Sequence, residues 1–383
     1  APDMATGILG SVEPGTESIA PELRIVEWQN EWIVKSSYEY DYQAPDEMLK
    51  ELRERYELDD MISSGRTEWE QMLLLREWVR TRWNHGWTRK PESRNALEIL
   101  EAAEQGSDFN CGYYSMTLMQ SMLALGFVAR RTGITKAQAE WMAYDEGNIG
   151  HSIPEVYSHD WHKWIMLDAD MNVHYELDGV PLSTLEIHHA WVGGRWSEVR
   201  MIQGSTPFKR TDKTSSGLLT VYETLDEHDA SSWVFARHNV GDYYSNVSVT
   251  LGNTHHSREG SVPMLHWIDD HTAPRLIGAN KPHKDQWTGN EHDMYPSVDQ
   301  VQINLRADPS AWESGEAILD VNFEDSMPNL EKLLVRVDHE PWHETERNCT
   351  WKLNPGKNEI MAKGINSFGR EGHLSRILLR FHS

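Results

Sequence analysis

The chain has 383 residues, with 60 acidic and 36 basic side chains and a formal net charge of -24. Binding to nucleic acid requires a basic surface, so this charge argues against a nucleic-acid partner. No apolar stretch approaches the roughly 18 residues of a membrane-spanning helix, so no membrane partner is expected. The length is enough for two or three domains.

The first residues and the composition bear on location and partners. The chain starts Ala1-Pro2-Asp3 without an initiator methionine, which we interpret as a secreted or periplasmic protein whose signal peptide has been removed. Its 2 Cys residues cannot build a disulfide framework. Its 17 Trp residues are many for this length, and exposed Trp often stacks on sugars or lines apolar clefts.

In chain order, helices are predicted first and strands afterwards. In the stronger of the early helices, Met72, Leu75 and Val79 recur at the spacing of an amphipathic helix. The helix that begins at Cys111 is apolar on much of its circumference and stops at Gly126. The strands that follow are expected to be antiparallel, which predicts an α+β fold. The predicted elements here are strands at 23–28 and 31–34, helices at 45–56, 68–83, 95–104 and 110–126, and a strand at 127–132.

The last eighty or so residues alternate apolar and polar side chains in short segments, separated by turn clusters at 354–357 and 367–370. This pattern predicts a C-terminal immunoglobulin-like β-sandwich. Between 201 and 298 the strand signals are weaker, with short strands expected at 218–222, 233–236 and 247–251.

Three segments carry the side chains of a thiolate site. Cys111 would lie in the first turn of its helix, where the helix dipole favours an anion and Asn110 is suited to cap the helix. A thiol attacks only as a thiolate, and His151, on a predicted strand, would pair with it and pass a proton to the leaving group. Asp168 ends the next strand and would orient the histidine. We therefore predict Cys111, His151 and Asp168 as catalytic residues.

The three predicted catalytic residues belong to a larger set of segments between about residues 65 and 195. These segments are Phe109-Asn110-Cys111-Gly112, 75–79, 83–85, 96–100, 123–130, Gly150-His151 with Glu155-Val156, and 163–168. Together they resemble the transglutaminase-like superfamily in its bacterial exported form. The resemblance implies a papain-like core, with helices packed on an antiparallel sheet, and a Cys-His-Asp site that forms a thioester and releases it to water or an amine.

The sequence departs from the family pattern after the aspartate. Members usually continue with Pro-Thr or similar residues, whereas this chain reads Asp168-Ala169-Asp170. Asp170 is therefore kept as an alternative residue that orients His151.

The predicted domains follow from these patterns. They are an N-terminal extension with short strands at 1–45, a transglutaminase-like catalytic domain at 46–200, a β-rich middle region at 201–298 and the immunoglobulin-like sandwich at 299–383. The middle region is either separate or completes the catalytic domain.

Residues near the nucleophile are candidates for substrate binding. Trp83, His85 and Trp87 lie between predicted helices and would line a cleft or supply an oxyanion donor. Packing and capping explain these residues equally well. The full set of candidates is Trp83, His85, Trp87, Tyr113, Tyr114 and Trp141.

Three functions stay open on the sequence alone. The first is a cysteine enzyme that acts on an amide bond of a peptide or protein, by hydrolysis or acyl transfer. The second is a polysaccharide-active lyase or glycoside hydrolase that uses the same cleft, with His and Tyr as acid and base and Trp subsites. The third is a non-catalytic binding protein.

No cofactor and no metal are expected, because phosphate loops, dinucleotide fingerprints and helical metal-ligand pairs are missing from the sequence. The His-rich stretches, among them His188-His189 and 266–271, are expected to be solvated surface.

Overall fold

The computed structural model describes residues 23–86, 95–135, 150–214, 217–222, 240–254, 263–271, 286–307 and 317–382. The chain divides into two compact units. A central unit comprises Ser36–Tyr295, and a terminal unit comprises Ala1–Lys35 together with Pro296–Ser383. The four predicted domains, with boundaries after 45, 200 and 298, stay a prediction. None of the described helices is long and apolar enough to cross a membrane.

Side chains cap the first turns of several helices in the central unit. Asp46, Thr67 and Asn95 each accept a hydrogen bond from a backbone N–H that the start of a helix leaves unpaired. The described helices are α1 (Glu47–Arg55), α2 (Leu58–Ile62), α3 (Glu68–Arg80), α4 (Ala96–Glu104), α5 (Cys111–Ala124), α6 (Thr184–Val192) and α7 (Glu291–Met294), with short 3-10 segments at Trp196–Glu198 and Val240–Ser245.

Helix α5 packs on the main sheet of this unit. The sheet has the order β12-β11-β10-β2-β3-β4, and its neighbours are antiparallel except β11 and β12. Helix α5 contacts β2 and β3 on one side and α1, α3 and α4 on the other, so it is buried almost all round. The strands are β2 (Ala129–Thr135), β3 (Gly150–Ser158), β4 (Lys163–Met166), β10 (Asn246–Thr250), β11 (Met264–Trp267) and β12 (Gln286–Thr288). Residues of the predicted middle region thus form half of this sheet.

Two smaller sheets complete the central unit. One has the order β6-β5-β7, and the other is a hairpin of β8 and β9. Their strands are β5 (Val173–Leu177), β6 (Val180–Pro181), β7 (Arg200–Gln203), β8 (Lys209–Thr214) and β9 (Gly217–Tyr222). The short connection from β4 to β5, residues 167–172, carries residues of the candidate site.

A buried ion pair ties β2 and β3 to the start of α6. Arg130 and Glu155 lie 2.8 Å apart, and the Arg130 guanidinium lies 4.2 Å from the centre of the Trp164 ring. Glu155 also accepts a hydrogen bond from the backbone N–H of Thr184, at 2.7 Å. Buried charges are tolerated when they are paired and hydrogen-bonded in this way.

The terminal unit is built from two antiparallel sheets that share a core. Their orders are β1-β19-β18-β15-β16 and β13-β14-β17, and Ile303, Trp351 and Ile360 are among the buried residues between them. The strands are β1 (Leu23–Gln29), β13 (Val301–Ala307), β14 (Ile318–Asp325), β15 (Leu330–Val337), β16 (His343–Glu344), β17 (Asn348–Lys352), β18 (Gly356–Asn366) and β19 (Ser375–Phe381).

Strand β1 pairs with β19, so the predicted N-terminal extension contributes a strand to a sheet otherwise made of C-terminal residues. The predicted strand at 31–34 does not form, because its backbone bonds instead to side chains such as Gln302. The predicted strand at 233–236 lies outside the described residues. The prediction of a mixed fold of helices and antiparallel sheets is confirmed, and the immunoglobulin-like type of the sandwich stays a prediction.

Candidate active site

Cys111 is the first residue of α5. The side chain of Asn110 accepts a hydrogen bond from the N–H of Gly112 at 3.2 Å and so caps the helix in extended backbone geometry. The Cys111 thiol is half-buried. The N–H of Tyr113 donates to the carbonyl of Asn110 at 3.0 Å. The Cys111 N–H and the positive end of the helix dipole are therefore what favours a negative charge on the sulfur.

His151 and Asp168 form a buried hydrogen-bonded pair. His151 lies near the start of β3 and Asp168 follows β4, and the antiparallel pairing of these strands brings the two side chains together. The Nε2–H of His151 donates to Oδ2 of Asp168 at 2.7 Å. The other carboxylate oxygen accepts from the N–H of Met171 at 3.0 Å, and two backbone hydrogen bonds of 2.9 Å join Asp168 to Val173. The carboxylate is thus held in one orientation.

The thiol and the imidazole meet at this end of the sheet. The Sγ of Cys111, a ring nitrogen of His151 and a carboxylate oxygen of Asp170 all lie within 4.8 Å of one another. Since Nε2 of His151 is bonded to Asp168, Nδ1 is the nitrogen left to face the sulfur. The structure therefore brings together a Cys-His-Asp group from the three segments singled out in the sequence.

The charges around His151 favour its protonated form. Burial alone would lower the pKa of this imidazole, but the carboxylate of Asp168 and a thiolate at Cys111 outweigh burial and raise the pKa well above the ordinary 6.5. An imidazolium beside a thiolate is the arrangement that a cysteine nucleophile requires.

A second His-Asp pair lies next to the first. The Nδ1 of His85 bonds to both oxygens of Asp170, at 2.8 and 3.0 Å, and both side chains are buried. Burial would raise the pKa of Asp170, but His85, His151 and Arg80 together lower it below the ordinary 3.8. The two candidates for orienting His151 thus have separate partners, because Asp168 bonds to His151 and Asp170 bonds to His85.

A layer of polar side chains behind the site holds the turn between β4 and β5. The Nε of Arg76 donates to Oδ1 of Asn172 at 3.0 Å, and its Nη1 donates to Nδ1 of His174 at 2.8 Å. Burial lowers the pKa of Arg76 to about 10, and burial together with Arg76 lowers the pKa of His174 to about 3. Asn172 has a positive φ of 58°, which Asn tolerates better than most residues. Its amide also donates to Glu77 at 2.7 Å.

The sequence analysis did not predict this layer of polar side chains around Arg76. Arg76 and Arg80 are four residues apart on α3 and are both buried. Two arginines on the apolar side of an amphipathic helix were the available signal, because a guanidinium is rarely buried without partners.

Four of the six predicted substrate-binding residues are buried, and the other two lie outside the described residues. Trp83, Tyr113 and Tyr114 are buried, and the hydroxyl of Tyr114 donates to the carbonyl of Trp83. His85 is buried in its pair with Asp170. Contact of these residues with a substrate stays a prediction. Trp87 and Trp141 lie outside the described residues.

Within the described part of the chain, one group has the donors and the spacing to hold a metal ion, namely Cys111, His151 and Asp170. Thiolate, imidazole and carboxylate are the ligands that Zn²⁺ prefers. The expectation of a metal-free site stays a prediction.

His188 is not part of a solvated surface, so the expectation for the His-rich stretches is wrong for this residue. It is fully buried, and its Nδ1 donates to the carbonyl of Tyr244 at 2.7 Å while its Nε2 lies 2.8 Å from Asp269. These bonds fix α6 to its neighbours.

No family model matches the chain, and no curated protein matches it. Among solved structures, the chain is similar to the transglutaminase of red sea bream, with 10% identity and a TM-score of 0.23, over 88% of this chain and 72% of that one.

Proposed function

We propose that the chain is a cysteine enzyme with a transglutaminase-like core, which acts on an amide bond through a thioester. The observation that carries this proposal is the 2.7 Å bond between His151 and Asp168 with the Cys111 sulfur beside the same imidazole. A secreted or periplasmic location and an immunoglobulin-like terminal unit belong to the same proposal.

In the first step, the Cys111 thiolate attacks the carbonyl carbon of the amide and a bond between sulfur and carbon forms. The negative charge that develops on the carbonyl oxygen is stabilised by the backbone N–H of Cys111 at the start of α5. His151 gives its proton to the leaving nitrogen, the bond between carbon and nitrogen breaks, and an amine leaves.

In the second step, water or an amine attacks the thioester. His151, now neutral, takes a proton from the attacking group, the bond between carbon and sulfur breaks, and the thiolate and imidazolium are restored. Asp168 keeps Nε2–H pointed away from the sulfur in both steps, so that Nδ1 carries the transferred proton.

The site favours this chemistry over the polysaccharide-active alternative. A glycosidase of the usual kind needs two carboxyl groups that can reach the substrate, whereas Asp168 and Asp170 are buried and each is bonded to a histidine. The hydroxyl of Tyr114 is likewise buried and bonded within the protein.

Alkylation by iodoacetamide tests whether Cys111 is activated, and Cys349 serves as an internal control. Cys349 is half-buried, and burial raises its pKa above 9.0. Peptide mapping by mass spectrometry at neutral pH should show Cys111 reacting faster than Cys349 and faster than a free-cysteine peptide. His151→Ala should remove the difference. Equal rates for Cys111 and a free peptide in the wild type would refute an activated thiol.

A substrate screen then separates the functions. Casein with a fluorescent primary amine reports acyl transfer, ammonia or peptide release reports hydrolysis, and soluble glycans report polysaccharide cleavage, each with wild type and Cys111→Ala. Turnover of a protein substrate that Cys111→Ala abolishes supports the proposal. Glycan cleavage that survives in Cys111→Ala supports the polysaccharide alternative instead.

A further inference from the structure

A groove of about 970 Å³ lies in the terminal unit, on the outer face of the sheet β13-β14-β17. Its floor is formed by side chains that alternate with core residues along the three strands, as the pleat requires. Trp32 also lines the groove, and its side chain is 54% exposed.

A row of amides crosses the floor of the groove. The strand register places Asn304 opposite Asn322, and Asn322 opposite Asn348. The Asn304 amide donates to Asn322 at 3.4 Å, and the Asn322 amide donates to Asn348 at 2.9 Å. Gln302 extends the row at one end, donating to Asn304 at 2.6 Å. The amides are therefore aligned in one direction, and each polarises the next.

An ordinary exposed sheet face does not explain this row. Asn is depleted in strands, where β-branched and aromatic residues fit the pleated surface better. Asn304 and Asn322 lie inside β13 and β14, and Asn348 begins β17. Two registered Asn residues inside neighbouring strands depart from this preference, and such departures concentrate at functional sites. Each amide has two N–H donors and two acceptor lone pairs. The central Asn322 amide also donates to the carbonyl of Arg347 at 3.4 Å, whereas the Asn304 and Asn348 amides have donors and acceptors beyond their bonds within the row.

Trp32 is held at the groove by the segment that follows β1. The Asn30 side chain exchanges two hydrogen bonds of 2.8 Å with the backbone of Ile303. The N–H of Ile33 donates to the side chain of Gln302 at 2.9 Å, on the other side of Trp32 in the sequence. The indole of Trp32 is therefore exposed, while the backbone on both sides of Trp32 is held by hydrogen bonds. A side chain held in this way loses little conformational freedom when a ligand binds.

The geometry points to a second binding site, for a neutral oligosaccharide or polysaccharide chain. Sugar hydroxyls both donate and accept hydrogen bonds, as the amide row does, and the apolar face of a pyranose ring stacks on an indole. Neighbouring strands are about 4.8 Å apart, close to the length of one pyranose, so successive sugars can meet successive amides.

The charges of the face favour an uncharged glycan. Glu324 pairs with Lys35 at 3.1 Å, and Arg306 lies opposite Asp320 in the strand register. The charges beside the row are thus balanced, while the chain as a whole carries -24 and would repel a polyanion. This inference does not rest on the thiol chemistry of the central unit.

Affinity electrophoresis of the full chain tests the inference. The gels contain hydroxyethylcellulose, laminarin, xyloglucan or galactomannan as neutral probes, and alginate as an anionic one. We expect retardation in at least one neutral gel and none in alginate. Trp32→Ala should weaken binding about tenfold or more, as expected for loss of one aromatic contact. Cys111→Ala should bind like the wild type.

Two further variants separate binding from folding. Asn322→Thr replaces the central amide by a residue that strands prefer, so it should keep or raise the unfolding midpoint while weakening retardation. Trp342→Ala removes a Trp of the same unit that contacts Arg336 and Lys363 and does not line the groove, and it should bind normally. Failure to bind any neutral probe, retardation by alginate alone, or unchanged binding in both Trp32→Ala and Asn322→Thr would overturn the inference.

Discussion

Asp168 and Asp170 are two residues apart in one turn, and each bonds to a different histidine. The first pair orients the imidazole that faces Cys111, and the second places a buried carboxylate within 4.8 Å of the same sulfur. A carboxylate so close to a thiolate would oppose its charge, and its bond to His85 draws negative charge away from the sulfur. The His151–Asp168 pair therefore supports the thiolate, whereas the Asp170 carboxylate of the second pair opposes its charge. Replacing each aspartate separately distinguishes these two effects.

Replacing Asp168 should lower the pKa of His151. The carboxylate contributes to raising this pKa above 6.5, so Asp168→Asn should reduce it by about 1–3 units and slow alkylation of Cys111 at neutral pH. Because the folded-state pKa of His151 is raised, the stability that this group contributes is complete below about pH 6.5 and is lost as the pH rises through the folded value. NMR titration of the imidazole checks the shift. Asp178→Asn, the same change at an exposed turn residue, should leave it unaltered.

Replacing Asp170 should destabilise the central unit. Its pKa is lowered below 3.8 in the folded state, so its contribution to stability is complete above about pH 4 and is lost as the pH falls through the folded value. Asp170→Asn breaks a buried pair and should cost about 3–5 kcal/mol at neutral pH. Urea unfolding at pH 7 and at about pH 3 measures the free energy of unfolding of the wild type and of Asp170→Asn. The difference between the two proteins should be smaller at the lower pH. An equal loss at both pH values would speak against this assignment.

The helix start can be tested without removing its cap. Asn110→Asp keeps a capping oxygen, so the helix should stay formed, but it adds a negative charge next to the thiolate. Alkylation of Cys111 should slow by about tenfold, equivalent to 1.36 kcal/mol of repulsion. Asn290→Asp makes the same change at the cap of α7 and should leave the rate unchanged. An unaltered rate in Asn110→Asp would mean that the helix start does not govern the thiol.

Zinc should protect Cys111 from alkylation. The sulfur, the imidazole and the Asp170 carboxylate have donors that suit Zn²⁺, and a metal-bound thiolate cannot attack iodoacetamide freely. Micromolar Zn²⁺ should slow labelling of Cys111, EDTA should restore it, and Asp170→Asn should weaken the protection. Labelling of Cys349 provides the reference, because a fall at both cysteines would indicate a nonspecific effect.

The thiol, the imidazole and its carboxylate could be predicted from sequence because each has a local signal. Asn110 and Cys111 form a cap followed by a nucleophile, and His151 and Asp168 occupy a strand and a strand end. The choice between Asp168 and Asp170 could not be made securely in this way. It depends on His85, which reaches the site through the backbone bridge between His85 and Phe109, a contact without a periodic pattern.

The helices and strands of the fold could also be predicted from local sequence patterns, whereas the pairing of distant strands could not. The helices of the central unit and the alternating strands of the terminal unit follow local periodicity, so their presence could be inferred. The pairing of β1 with β19 joins segments about 350 residues apart, and the row of Asn304, Asn322 and Asn348 exists only in the register of three strands. Both relationships are set by tertiary contacts, which override local preference.

The pairing of β1 with β19 also determines when the terminal unit can fold during synthesis of the chain. Ribosomes release a chain from its beginning, and domains generally fold as units while they emerge. Residues 36–295 form one continuous stretch and can fold as soon as they are made. Strand β1 is made before the central unit, yet it has to wait without its partner strand until β19 appears. A strand edge without its partner is open to pairing with other chains, so truncation before β19 should leave a product prone to aggregation.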